Sequence, residues 1–201
     1  MDAVYLNEKL DRGFLDSNHL LGSLKFLDVS SKDTPAFGDP RYFPFYYYLG
    51  TQTTPKSVVQ IGAKLGLIGA CFMQGCKTVE DWLAMDSYDI KPPASIITSN
   101  LKRFGQTEGK YGFMLLNDSM LEMNNNQDYR IDMGLLTEKY NAEKTSRYLE
   151  FLWRYLNPEG LLVVDYIQEA DVKDSFKAFC RVKNREPEVF ETRYGVGVIT
   201  R

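Results

Sequence analysis

The sequence is poor in the residues that carry most hydrolytic and metal chemistry. Its 201 residues contain one histidine, His19, in a Ser-Asn-His-Leu context. Ser–His–Asp and Cys–His hydrolysis both need a histidine beside the nucleophile. None lies in the part of the chain that reads as a sheet domain, so His19 is expected at the surface. Three cysteines, Cys71, Cys76 and Cys180, sit in apolar or mixed contexts without metal-ligand spacing. They read as reduced core thiols of a cytoplasmic protein. No apolar run is long enough to cross a bilayer, and the opening MDAVYLNEKLDRGF lacks a basic-then-apolar leader pattern. Lys and Arg nowhere cluster and the net charge is −3, which argues against a general binder of nucleic-acid phosphates. The phosphate-loop pattern G-x-x-x-x-G-K-[ST] is missing. Internal repeats and low-complexity tracts are missing too.

What is there is an ordinary globular composition, 44% hydrophobic and 25% charged, sufficient for one domain with an arm. The organising stretch is Ser57 to Ala70, SVVQIGAKLGLIGA. It reads as a buried strand through Val58, Val59 and Ile61, a glycine turn from Gly62 to Gly66, and the start of an apolar helix. Such a junction aims the helix N-terminus and its unpaired N–H groups at the strand's carboxyl end. Open α/β sheets bind nucleotide-like ligands there.

Residues 1–50 read as an N-terminal arm or lid, and 51–201 as the α/β domain. Within the arm, RYFPFYYYLG (Arg41 to Gly50) is the densest aromatic run. It is expected to pack Phe45, Tyr46 and Leu49 on the sheet, with a wall over a ligand as the alternative. A second strand is expected within Thr78 to Met85, ending at Asp86. A helix follows from Ala94 to Phe104 behind Pro92-Pro93, with Gly105 as its C-cap. Lys110 to Leu116 reads as a third strand. A long helix is expected over about Gly134 to Leu156, where Tyr148, Leu149, Leu152 and Leu156 keep helical spacing. Leu161 to Val164 reads as a strand ending at Asp165, Val172 to Phe179 as an amphipathic helix, and Val189 to Ile199 as a closing strand pair. Alternating strands and helices predict a doubly wound, Rossmann-like and mostly parallel sheet.

Five pieces, taken in order, resemble the class I S-adenosylmethionine-dependent methyltransferases, nearest to the small catechol and caffeoyl-coenzyme A O-methyltransferases. QIGAKLG resembles the glycine loop that this subgroup often writes E-[IL]-G-x-x-x-G. Asp86 resembles the acid that closes strand two. YGFMLLND resembles strand four, Y-D-x-x-F-x-D. YLNPEGLLVVD resembles L-x-P-G-G-x-x-x-x-D through strand five, and YGVGVITR the antiparallel last strand. On that assignment the family's third strand is short or missing.

The resemblance implies S-adenosylmethionine as cofactor. It would be held by Gln60, Gly62, Lys64, Gly66 and Asn117, with Asp86, or its rival Asp89, accepting from the ribose hydroxyls. Gln60 stands where the family has an acid. The family's divalent metal takes an Asp after strand four and an Asp-Asn pair after strand five. Here Asn117 or Asp118, Asp165 and Tyr166 stand in those places, a poor donor set for a hard cation, and no metal is expected. Methyl transfer mainly requires alignment and exclusion of water. Asp118 and Asp165 are the candidates should the acceptor have to lose a proton. The implied activity is methylation of a small-molecule acceptor. The alternatives are a methyltransferase-like structural or interaction subunit without catalysis and, behind it, another enzyme on this sheet. Residues 1–50 are the place for contacts with a second copy or an assembly partner.

Overall fold

Successive side chains of β1 (Ser57–Ile61) and β2 (Asp81–Asp86) point to opposite faces of the sheet and divide the core into two layers. Val58, Trp82 and Ala84 face one layer; Val59, Ile61 and Met85 face the other. The computed structural model describes residues 42–86, 94–105, 108–116 and 129–201. His19, Asp89, Asn117 and Asp118 fall outside the described residues, as does the arm up to residue 41.

The first described element is the helix α1 (Tyr42–Gln52), which precedes β1. It buries Tyr42, Phe43, Phe45, Tyr46 and Leu49, as expected of the aromatic run. The boundary drawn between residues 50 and 51 lies inside it. After β1 come α2 (Leu67–Gly75), β2 and α3 (Ala94–Phe104), then β3 (Lys110–Leu115) and β4 (Ile131–Leu136). The chain closes with α4 (Ala142–Tyr155), β5 (Leu156–Asp165), α5 (Ala170–Lys183), β6 (Glu188–Phe190) and β7 (Val196–Thr200). The described strands form one seven-stranded sheet in the order β3-β2-β1-β4-β5-β7-β6. The first five are parallel to their neighbours; β7 runs antiparallel to β5, and β6 antiparallel to β7. Side chains of α1, α2 and α3 share one core layer, and those of α4 and α5 the other.

Two expectations need correction. The strand Lys110–Leu115 pairs with β2 at the sheet edge, so it is the third strand and not the fourth. The third strand is therefore present. The fourth is Ile131–Leu136, which pairs with β1 and occupies part of the stretch expected to be helix. The physical reason is burial. A central parallel strand is covered on both faces, so Met133, Gly134, Leu135 and Leu136 are all buried, and an uninterrupted apolar run carries no strand period. The helical spacing further on was sound, but the helix begins only at Ala142. Asn141 caps it, its side chain accepting from the Lys144 N–H at 2.9 Å.

At the amino end of the sheet Asp132 ties three segments together. Its Oδ2 accepts the Lys56 and Ser57 N–H groups at 2.8 and 3.1 Å, and its Oδ1 the Asn157 amide at 2.7 Å. Burial works against its charged form, but these donors outweigh it and hold the carboxyl below the usual carboxylate range. Its contribution is thus complete above the ordinary Asp pKa and is lost as the pH falls through the depressed value. Asp132→Ala is expected to cost about 1–2 kcal/mol near neutral pH, and urea titrations should show the cost shrinking in acid.

Candidate functional site

The sheet reverses its winding between β1 and β4, with β2 and β3 on one side and β5 on the other. Two segments leave the sheet there side by side, the turn after β1 and the segment Thr137 to Tyr140 after β4, and the Thr137 N–H donates to Ile61 O at 2.9 Å. A crevice outside the strands' carboxyl ends is the standard ligand position of such sheets.

The turn is built on left-handed backbone. Gly62 has φ 87° and Gly66 φ 75°, and Lys64 between them has φ 48°. For Lys this conformation is uncommon and costly. Contacts with the end of β2 hold it in place. The Gly62 N–H donates to Met85 O at 2.9 Å, and the Lys64 N–H donates to Asp86 Oδ2, also at 2.9 Å. Asp86 is 2% exposed. Its observed task is to fix the turn, an arrangement that brings this acid and the glycine loop together as expected. Gly66 opens α2 without a side-chain cap, and the first N–H groups of a helix have no partner within it.

Gln60 is fully buried. Its Nε2 donates to Thr137 Oγ1 at 2.8 Å, and that hydroxyl donates onward to Gly62 O at 2.9 Å. The ends of β1 and β4 are thereby tied together. Two buried polar atoms here find no hydrogen-bond partner among the described residues: Gln60 Oε1 and the Tyr140 hydroxyl. Burial, and then the charge of Asp86, push the Tyr140 phenol upward. The Lys64 Nζ crosses from one segment to the other and meets Glu138 Oε2 at 2.8 Å. It also stands 5.8 Å from the centroid of the Tyr166 ring. Tyr166 is itself left-handed, φ 60°, and stacks on Tyr194 at 4.6 Å. Burial acts against the Lys64 ammonium, yet Glu138 and Tyr166 together raise its pKa.

Asp165, expected as a catalytic candidate, has a structural task in the fold. Its carboxylate is wholly buried. Oδ2 accepts the hydroxyls of Tyr42 at 2.5 Å and Tyr46 at 3.2 Å, and Oδ1 accepts the Tyr166 N–H at 2.7 Å. Burial raises its pKa to about 7 in spite of these donors. Asp165 thus anchors α1 to the end of β5. Its partners Tyr42 and Tyr46 lay in the aromatic run, but nothing in the sequence ties them to a residue more than a hundred positions on.

With the fourth strand relocated, Ile131 to Thr137 takes the place of Y-D-x-x-F-x-D, and Thr137 stands where that pattern ends in Asp. The metal position therefore offers a hydroxyl already engaged with Gly62, a carboxylate engaged by two phenols, and a tyrosine. This set does not fit a divalent cation. Thr137, Glu138 and Tyr140 were missed because the fourth strand was sought in the wrong segment.

No family model and no curated protein matches this sequence. Solved structures do match its fold. A candidate caffeoyl-CoA O-methyltransferase from Staphylococcus aureus superposes with a TM-score of 0.64 at 13% identity, over 99% of this chain and 98% of that one. An O-methyltransferase from Bacillus cereus, in complex with S-adenosylhomocysteine, gives 0.59 at 12% identity over 96% and 91%. A candidate RNA methyltransferase from Pyrococcus horikoshii gives 0.60 at 13% identity over 92% and 95%. At such identities the likeness carries the fold and nothing finer. The chain has the fold of the class I S-adenosylmethionine-dependent methyltransferases.

Proposed function

We propose that the chain binds S-adenosylmethionine in the crevice between the turn after β1 and the segment after β4, and methylates a small-molecule acceptor without a metal. The observation that carries this reading is the pair of orphaned polar atoms, Gln60 Oε1 and the Tyr140 hydroxyl, beside a left-handed glycine turn. Buried polar atoms are rarely left unpaired, and an unpaired one calls for an explanation such as a ligand. Gln60 Oε1 is an acceptor suited to an ammonium; the Tyr140 hydroxyl both donates and accepts. The bound sulfonium would supply an activated methyl group. The residues of the chain then bind and orient it and keep water away. With Asp165 committed to α1, the described residues favour an acceptor that is already nucleophilic or is deprotonated elsewhere.

The Lys64–Glu138 pair favours a second reading, a scaffold without catalysis. A cation fastened across the mouth repels a sulfonium and narrows its entrance. Calorimetry on the full chain separates the two. Binding of S-adenosylmethionine and S-adenosylhomocysteine is expected. Tyr140→Phe sacrifices no hydrogen bond among the described residues, so it should stay folded and lose about tenfold in affinity. A folded parent protein that takes up neither compound overturns the methyltransferase reading and favours the scaffold.

A further inference from the structure

Lys64 is placed where glycine is the ordinary residue, on left-handed backbone between Gly62 and Gly66, with its N–H fixed by Asp86. A backbone strained and held in this way commonly marks a functional side chain. The ammonium it projects is paired with Glu138 across the crevice. Their side chains keep 50% and 25% of their surface exposed, so the pair sits at the rim in contact with water. Exposed pairs of this kind are weak and readily exchanged. Tyr166, also left-handed, backs the ammonium with its ring and restricts where it can swing.

We infer that Lys64 recognises the carboxylate of the cofactor's amino-acid part, and that Glu138 occupies the ammonium in its place when no ligand is bound. A ligand carboxylate presents the same group to Lys64 that Glu138 presents here. Binding would therefore exchange an ion pair at the water-exposed rim, worth little, for one with the ligand carboxylate that less water screens and that is worth more. This turns a residue that otherwise obstructs the crevice into one that selects for nucleosides carrying an amino-acid carboxylate. The inference rests on the proposed cofactor reading, and its test is arranged to separate the two.

The probes are S-adenosylhomocysteine and 5′-methylthioadenosine, the same kind of nucleoside thioether without the amino-acid part; loss of a cation can weaken only the contact with the carboxylate, because Lys64 repels the ligand ammonium. Isothermal calorimetry on the full chain should show Lys64→Ala weakening S-adenosylhomocysteine about tenfold or more, with 5′-methylthioadenosine unchanged. Lys64→Gly accepts the left-handed backbone without a side chain and should repeat the result if the alanine variant folds poorly. Glu138→Gln frees the ammonium and should tighten S-adenosylhomocysteine severalfold. Equal effects on both probes, or tighter binding of both by Lys64→Ala, would make Lys64 an obstruction and overturn the inference while leaving the cofactor site intact. Failure of both probes to bind the parent protein overturns the site and this inference together.

Discussion

Replacing Asp165 by Asn is expected to change strongly how stability depends on pH. Burial raises the carboxyl from 3.8 to about 7 in the folded chain. A raised acid binds its proton more tightly folded than unfolded. Its contribution is complete below the unfolded pKa and is lost as the pH rises toward the folded one. The loss between about pH 4 and pH 7 is on the order of 4 kcal/mol, at about 1.4 kcal/mol per pKa unit. Asparagine does not titrate. The variant should gain on the parent steadily over that range and hold a constant difference above it. The Tyr42 and Tyr46 hydroxyls still have an amide oxygen to donate to, while the Tyr166 N–H faces an amide that cannot accept. That loss shifts both ends of the curve equally, so the slope is the readout. Urea unfolding of the two proteins across pH measures it, and parallel profiles would mean that Asp165 is ionised without penalty in the fold.

The second large effect is expected at Gly62. A Cβ there would lie 2.4 Å from Glu138 Cβ and 2.9 Å from Glu138 N, on backbone at φ 87°. Alanine must therefore strain its own backbone and push the segment after β4 away. We expect Gly62→Ala to cost about 2–4 kcal/mol in chemical unfolding, and to weaken S-adenosylhomocysteine binding because the strained turn carries Lys64 and the displaced segment carries its partner Glu138. Gly112 in β3 is the control. Its nearest neighbour would be Leu83 Cδ1 at 4.0 Å, and alanine there should be neutral or stabilising by about 0.5 kcal/mol. Similar losses at both positions would show that the turn after β1 is soft.

Much of the fold was legible because it rests on local signals. The strand, glycine turn and apolar helix of Ser57 to Ala70 needed only hydrophobicity and two glycines. Asp86 could be matched to them because a strand end is a short, well-marked place. The helix Ala94–Phe104 was marked by prolines before it and a glycine after it. Failure came where local signals were silent. Ile131–Leu136 is covered on both faces, so it presents an apolar run without a period, and neighbouring helical spacing absorbed it. One misplaced strand then carried the motif after strand four to Asn117 and Asp118, and hid Thr137, Glu138 and Tyr140.

By itself the sequence determined most of the strands and helices, that a glycine turn follows the first strand, and that no histidine stands in the part that reads as a sheet domain. Those are properties of neighbours along the chain. Tertiary structure alone decided what each polar side chain does. It made Asp165 an anchor for two tyrosines, joined Gln60 to Thr137, and set Lys64 against Glu138. Each of those partners lies tens of residues or more away. A hydrogen bond or an ion pair is decided by distance in space, which only the packed sheet supplies.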